Sequence, residues 1–361
     1  MAIVENTESV TRQSQIQTQS ILGQEVHELW FTRCPVPTAT GIAADLGWFS
    51  DEFGPDDIAL KSLQDVPRSN LSGHHFEHGL DALFREGGNV PALWTRARGQ
   101  QTRLIGLTWI EERQAILVRA ESDLETVADL KGRRLAIPSR DRGTVDFWRA
   151  MALHGFTGAL STSGLTLADT SLVDVVSSWG DQGGGALPQQ WDPELHALTA
   201  GEVDAVYVKG AVGVEAGERA GTRVLLDLDV FPDPRVRVNN GTPRPITVHQ
   251  RLLDERPDLV ARFLSVLLRA ADWAAAHPSD VTAILQGETG AGQAGVAGAY
   301  RSDFHLHLHP DLSNERLGLL EQQKDFLLRH GFIESDVVIE AWADQAPLQE
   351  ARRLVAAGSR L

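Results

Sequence analysis

Short apolar strands alternate with helical segments over the first two thirds of this chain, and that alternation limits the folds open to it. An apolar run at 29–31 precedes a helical stretch at 38–46, and 57–63 then alternates polar and apolar residues as a strand does. Units of strand, helix and strand build parallel sheets covered by helices. From residue 255 onward the pattern is mostly helical and begins with a long helix over 257–276. The sequence therefore predicts an α/β fold with a helical C-terminal region.

Size and charge narrow the classes of partner. The chain has 361 residues, enough for two medium lobes, and a net charge of −16 from 33 basic and 49 acidic residues. Because binding to nucleic acid needs a dominant positive surface, we exclude nucleic acid and expect a small molecule as partner. An anionic ligand would have to be held by local cations and helix ends. We expect the chain to act as a monomer.

The N-terminal segment does not have the pattern of a targeting sequence. Residues 1–22 are polar, and they carry neither the basic start nor the apolar core of a signal peptide. No apolar run in the chain approaches the length that spans a membrane. We therefore expect a mobile N-terminal arm over 1–22, a cytoplasmic location and no membrane partner.

The single cysteine, Cys34, lies where an apolar strand pattern gives way to a helical one. Pro35 and Pro37 follow it, and proline is tolerated at a helix start because its missing N–H would have no partner there. A helix N-terminus and the neighbouring Arg33 would both favour the thiolate. A lone cysteine is also common as a small buried apolar residue, so position alone leaves both interpretations open. With one cysteine there is no internal disulfide.

A second polar stretch contains three histidines within five residues, His74, His75 and His78. We predict a helical turn at about 80–84 after it, then a break and a short helix at 90–98. Taken singly, His75 is as readily structural as functional. Arg85 alone would most simply be a solvated helix residue. The glycine pair that follows it is either a turn or a backbone nest for an anion.

The segment around His305, His307 and His309 is the one place where the sequence hints at a metal. On a strand the three imidazoles would share one face, as a zinc site requires. No carboxylate pattern accompanies them, so an exposed edge or loop is the better interpretation. We predict no metal site.

Three segments, 124–138, 197–205 and 269–278, resemble parts of type II periplasmic-binding-protein-like folds. The resemblance implies two α/β lobes joined by crossing strands, with a ligand in the cleft between them. On this basis we assign residues 23–112 and 236–361 to lobe 1, and residues 113–235 to lobe 2.

A more specific resemblance starts at Cys34-Pro35-Val36-Pro37. It continues through His75-Phe76 to Arg85, Gly87-Gly88 and Pro91, and it is to the aryl sulfinate desulfinases. In that family a cysteine, a histidine and an arginine ten residues after the histidine form a cofactor-free active site. The resemblance therefore implies that Cys34, His75 and Arg85 are catalytic and that no cofactor is used. It also implies a set of substrate-binding residues: Thr32, Phe76, His78, Gly87, Gly88 and Trp148.

The residue types suit the cleavage of a carbon–sulfur bond. A guanidinium such as that of Arg85 can bond two sulfinate oxygens at once, and glycines let backbone N–H groups approach an anion closely. Cys34 could attack sulfur or donate a proton to the ring carbon, with His75 orienting it and tuning its protonation. Trp148 would offer an aromatic substrate a stacking surface.

The expected function is hydrolysis of an aryl or arylvinyl sulfinate to a phenol and sulfite. Two substrates fit the resemblance: 2'-hydroxybiphenyl-2-sulfinate and the smaller 2-(2-hydroxyphenyl)ethenesulfinate of a benzothiophene route. The alternative is a non-catalytic sulfonate- or pyrimidine-binding protein of the same fold. A binding cleft has no use for a thiol, so the cysteine favours the enzyme.

Overall fold

The computed structural model describes residues 26–63, 73–140, 144–176 and 190–358. The predicted mobile arm at 1–22 lies outside these residues. Among the described residues, none of the helices combines the length and apolar character that crossing a membrane would take.

The strands of the described residues are numbered in chain order. They are β1 Glu28–Phe31, β2 Ala59–Ser62, β3 Leu83–Glu86, β4 Thr102–Thr108, β5 Gln114–Arg119, β6 Arg134–Ser139, β7 Ser171–Val176, β8 Val206–Lys209, β9 Thr222–Asp227 and β10 Arg244–His249.

The α-helices of the same residues are numbered likewise. They are α1 Ala39–Asp45, α2 Trp48–Phe53, α3 Asn89–Ala97, α4 Phe147–Ser161, α5 Asp192–Thr199, α6 Gly210–Arg219, α7 Gln250–Glu255, α8 Pro257–Ala276, α9 Pro278–Thr289, α10 Gln293–Ala299, α11 Asn314–Arg329, α12 Ile339–Trp342 and α13 Ala346–Ala356.

The first lobe is built on a five-stranded sheet in the order β2-β1-β3-β10-β4. Strand β1 runs parallel to both β2 and β3, which is the parallel opening that the alternation of strand and helix predicts. Strand β10 enters between β3 and β4 and is antiparallel to both. The carboxyl ends of β1 and β3 therefore lie side by side, and β10 brings its first residues to the same edge.

The second lobe holds two smaller sets of strands. Strand β5 lies between β8 and β9, and β6 pairs in parallel with β7. A parallel bridge between Leu135 and Ala205 joins the two sets. The chain crosses between the lobes from β4 to β5 and again from β9 to β10. The predicted two-lobed α/β fold is confirmed, while the lobe limits 23–112, 236–361 and 113–235 stay a prediction.

The C-terminal region is helical, as predicted, and α8 has the limits that its sequence pattern indicates. Its apolar face packs on the back of the first sheet, where the Phe263 ring stacks on Phe84 at 3.9 Å and on Phe49 at 5.0 Å between ring centroids. Since side chains alternate along a strand, this contact turns the next residue of β3, Arg85, to the other face of the sheet. Core packing thus fixes the direction of the arginine.

One local prediction is wrong. Residues 80–84 were expected to form a helical turn, but 83–86 form β3. All four residues of this strand are buried, and its neighbours on the two sides are β1 and β10. Pairing with distant strands has overridden the weak local preference for helix.

Candidate active site

Thr32 ties the end of β1 to the end of β3. Its amide donates to the Phe84 carbonyl at 3.1 Å, and its hydroxyl donates to the Glu86 carbonyl at 2.6 Å. The same hydroxyl accepts from the Glu86 amide at 2.8 Å. Thr32 is buried, so its hydroxyl bonds the backbone of Glu86 rather than solvent.

Cys34 is partly buried two residues farther on, and its thiol donates to the Glu86 carbonyl at 3.4 Å. Three residues separate it from Thr38, whose side chain caps the N-terminus of α1. The adjacent Arg33 is engaged by two acids, Glu288 and Asp45. The predicted cation beside the cysteine is therefore largely neutralised by its own partners.

Arg85 is buried and folded back onto its own loop. Its Nε donates to the carbonyl of His75 at 2.7 Å, and both Nη atoms donate to the carbonyl of Gly88, at 3.3 and 3.2 Å. The ten-residue spacing between histidine and arginine thus corresponds to a direct contact, through the backbone of the histidine. A Cβ on Gly87 would lie 2.9 Å from the guanidinium carbon, so the glycine leaves room for this conformation.

Two histidines near Arg85, His75 and His78, have pKa values lowered far enough to keep their imidazoles neutral at pH 7. Burial and the charges of Arg85 and Arg244 hold the pKa of His75 well below its usual value. His78 is buried in a left-handed backbone conformation, with Nε2 3.5 Å from the Thr247 carbonyl, and burial lowers its pKa to about 3. A neutral His75 can accept a proton. In this conformation the Cys34 thiol is bonded to the Glu86 carbonyl rather than to His75.

We expect the buried His78 to make the protein less stable as the pH falls. Below the ordinary histidine pKa of about 6.5, His78 binds a proton in the unfolded chain, whereas in the folded chain it stays neutral down to about pH 3. The free energy of unfolding should therefore fall over this window, by up to about 1.4 kcal/mol per pH unit for this residue. Denaturant unfolding of His78→Asn should show a shallower pH slope, while the exposed control His196→Asn keeps the wild-type slope.

Glu86 is a buried acid that the sequence did not single out. Thr40 Oγ1 donates to its Oε2 at 2.5 Å, and Thr108 Oγ1 donates to its Oε1 at 2.9 Å. Burial raises the pKa of its carboxyl, and the two hydroxyls and Arg244 act in the opposite direction. Its position directly after Arg85 was visible in the sequence, but the predicted helical turn hid that both residues end one strand.

Arg244, the first residue of β10, was also missed. Its side chain is buried, and its charge acts on Arg85, His75 and Glu86. It follows a cis Thr242–Pro243 peptide bond. No local pattern distinguishes it from other arginines, because what places it here is the return of β10 between β3 and β4.

Aromatic rings extend from His75 towards the second lobe. The Phe76 ring meets the His75 ring edge-on at 5.0 Å and stacks on Phe147 at 5.9 Å. Phe147 in turn lies 5.2 Å from Trp148. Trp148 is held deeper, 5.2 Å from the Trp191 ring. A group of aromatic rings therefore lies beside His75, and its more accessible member in the second lobe is Phe147, which the sequence analysis passed over.

The histidine triplet near residue 305 does not converge. Phe304–Leu306 is a single 3-10 turn rather than a strand. His307 lies 3.4 Å from Asp303, and His309 lies 2.8 Å from Asp272. Within the described ranges, no group of three or more histidine, cysteine, aspartate or glutamate side chains is placed to hold a metal ion.

Several known proteins are similar to this chain. Residues 189–281 match a family model described as NMT1/THI5 like. The 2'-hydroxybiphenyl-2-sulfinate desulfinase of Rhodococcus erythropolis is 29% identical over 349 residues, which cover 87% of this chain and 91% of the relative. The Rhodococcus qingshengii protein of the same name is equally similar.

Solved structures show the same relationship. The crystal structure of a cysteine-to-serine mutant of DszB with biphenyl-2-sulfinic acid has a TM-score of 0.72 at 25% identity, covering 90% of this chain and 99% of that one. The periplasmic aliphatic sulphonate binding protein SsuA of Escherichia coli has a TM-score of 0.64 at 17% identity, covering 89% and 93%, and shares the fold. The resemblance stated from Cys34, His75 and Arg85 is confirmed over most of the chain.

Proposed function

We propose that this chain, a relative of the 2'-hydroxybiphenyl-2-sulfinate desulfinases, is itself a desulfinase: a hydrolase that converts an aryl or arylvinyl sulfinate and water to a phenol and sulfite. The observation that carries the proposal is that the only cysteine and a buried arginine lie at the adjacent ends of neighbouring strands, within range of each other's charge. Cys34 follows β1, and Arg85 lies in the neighbouring β3. The Arg85 guanidinium is bonded to backbone carbonyls and forms no ion pair with a described carboxylate.

Arg85 suits the sulfinate group. A guanidinium has five N–H donors, and the three contacts to His75 and Gly88 leave one hydrogen on each Nη. A buried cation without a counter-charge is costly, so an anion that enters the site gains more from it than it would at the surface. Biphenyl-2-sulfinate, the ligand of the DszB mutant, is an anion of this kind.

The aromatic part of the substrate fits the rings beside Arg85. Phe76 comes from the first lobe and Phe147 from the second, and their rings stack next to His75. A biphenyl or phenylethenyl group would pack between or against such rings. Both named sulfinates remain candidates: 2'-hydroxybiphenyl-2-sulfinate and 2-(2-hydroxyphenyl)ethenesulfinate.

Two routes balance the reaction, and both use Cys34. In the first, the thiolate attacks sulfur, the ring carbon leaves with the bonding electron pair and takes up a proton, and water then releases sulfite from the cysteine. In the second, the thiol protonates the ring carbon, sulfur dioxide leaves, and water converts it to sulfite while returning the proton. The neutral His75 would move the proton in either route.

The direct test is sulfite release by the purified protein, with biphenyl and phenylethene sulfinates offered side by side. Release of sulfite in equal amount to the desulfinated product is the expected result. Binding of the sulfinates without release would instead favour the sulfonate-binding alternative, and absence of both would reject the proposal.

Gly87 offers a test of the arginine's position without changing the arginine. Alanine suits the backbone at Gly87, but its Cβ would crowd the guanidinium and displace it. We expect kcat/KM of Gly87→Ala to fall about tenfold to a hundredfold, since small displacements of a positioning group have effects of this size. The control is Gly318→Ala on α11, where a Cβ meets nothing within 4 Å. Equal kcat/KM for the two variants would mean that the position of the Arg85 guanidinium does not affect the reaction.

A further inference from the structure

We propose that Arg244 is a second anion-binding residue of the site, which holds the sulfinate substrate and the sulfite product together with Arg85. The inference rests on the proposed function and adds to it a residue that neither the sequence spacing nor the resemblance indicates.

The turn before β10 sets Arg244 against the loop that contains Gly87 and Gly88, here called the glycine loop. Asn239 and Thr242 exchange backbone hydrogen bonds across this turn, both at 2.9 Å. Within it, Asn240 Oδ1 accepts from the Val90 amide at 3.1 Å and lies 2.2 Å from where a Cβ of Gly88 would be. The turn is therefore packed onto the loop whose carbonyl holds Arg85.

The guanidinium of Arg244 folds back over the same turn. Its Nη2 would lie 2.9 Å from a Cβ on Gly241, and Lys209 Nζ would lie 3.7 Å from that point. Strand β10 pairs Ile246 with Glu86, so Arg244 reaches the site from the strand next to β3. Its charge acts on both His75 and Arg85, so the Arg244 guanidinium lies near these two residues.

Arg244 differs from most other buried basic residues, because no described residue forms a hydrogen bond or an ion pair with its guanidinium. Its side chain is only 5% exposed, its Nε is buried without a hydrogen bond, and no ion pair joins it to a carboxylate of the described residues. The other buried arginines and lysines of the described residues all pair with acids: Arg140 with Glu194, Arg237 with Glu111 and Asp229, and Lys324 with Glu321, Asp325 and Asp336.

Among the described residues, the two buried arginines without carboxylate partners are Arg85 and Arg244, and they lie within range of each other's charge. Of the nearby acids, Glu86 is bonded to two threonine hydroxyls and Glu112 pairs with Lys209 at 2.7 Å. The two guanidiniums carry two positive charges, so at least one stays uncompensated even when Glu86 is ionised. A sulfinate carries one negative charge, so its binding offsets this excess.

This charge count separates a binding role from a structural one. If the role of Arg244 is to bind an anion, its uncompensated charge destabilises the ligand-free protein. Arg244→Gln should then unfold at the same temperature as the wild type or at a higher one. If it held the fold together, the same change would lower that temperature. Added sulfite should raise the unfolding temperature of the wild type and have little effect on Arg244→Gln.

The closing experiment measures binding where turnover is blocked. In a Cys34→Ser background, calorimetry should show biphenyl-2-sulfinate bound about tenfold to a hundredfold more weakly by Arg244→Gln, the loss expected for a hydrogen bond to a charged group. Uncharged 2-phenylphenol should bind both proteins equally. Arg244→Lys, which keeps the charge, should be intermediate, and it serves as the test variant if the glutamine variant does not fold. The exposed Arg235→Gln is the control and should bind as the parent does.

Unchanged sulfinate binding by Arg244→Gln or, where that variant does not fold, by Arg244→Lys would overturn the inference. So would an equal loss of affinity for sulfinate and 2-phenylphenol with a lower unfolding temperature. Measuring sulfite release by the wild type tests the proposed function independently of the role of Arg244. Release without dependence on Arg244 removes the inference alone, whereas Arg244-dependent binding without any release removes the desulfinase proposal and keeps the anion site.

Discussion

Cys34→Ser should lose sulfite release almost completely, by about a thousandfold or more in kcat, which is the scale seen when a nucleophile is removed. In both routes the sulfur of Cys34 performs a step that a serine hydroxyl does poorly at neutral pH, because the hydroxyl is a much weaker acid and a weaker nucleophile than a thiol. The fold should be unaffected. A serine Oγ can donate to the Glu86 carbonyl as the thiol does at 3.4 Å.

Three measurements on the same preparation decide this prediction. Sulfite release is followed under single turnover, sulfinate binding by calorimetry, and unfolding by heating. The expected pattern is lost release with intact binding and an unchanged unfolding temperature. Turnover close to that of the wild type would remove Cys34 from the mechanism. Loss of binding along with release would mean that the thiol helps to shape the site rather than to react.

The single cysteine also permits a chemical version of the test. A thiol reagent can modify only Cys34, which is partly exposed. Modification should abolish release, and bound biphenyl-2-sulfinate should slow the modification. If the thiolate attacks sulfur, rapid quenching should trap an SO₂ adduct on this residue that mass spectrometry can locate. Proton donation from the thiol would leave no adduct.

Local patterns were sufficient for the elements that local sequence dictates. The apolar face of α8 specified its whole length, and Thr38 marked the start of α1. The candidate triad came from the family resemblance, and the contact between Arg85 and the His75 carbonyl gives its ten-residue spacing a structural reason.

Residues brought in by distant strands could not be found in this way. Strand β3 is held by its neighbours β1 and β10 rather than by its own propensity, and Arg244 enters the site with β10 from more than 150 residues away in the chain. Phe147 was passed over for its larger neighbour Trp148, because sequence cannot tell which of two adjacent rings on a helix points towards another lobe. These features follow from topology and packing, which one sequence without its fold does not display.

Arg85→Lys should reduce kcat/KM by about a hundredfold or more, the loss typical of removing one donor from an oxyanion site. Lysine keeps the charge but has one nitrogen, so it cannot contact the His75 carbonyl, the Gly88 carbonyl and a sulfinate at once. The variant should also unfold at a lower temperature, since the backbone at His75 and the backbone at Gly88 lose the guanidinium that joins them.

Arg237→Lys is the matched control, because Arg237 is also buried but lies between Glu111 and Asp229, outside the site. It reports what exchanging a buried guanidinium for an ammonium costs in stability alone. If both variants lose stability but only Arg85→Lys loses kcat/KM, then the fork of Arg85 acts on the substrate. If both lose kcat/KM equally, Arg85 matters through the fold. If Arg85→Lys keeps the wild-type kcat/KM, the sulfinate must be held elsewhere, and Arg244 becomes the principal cation of the site.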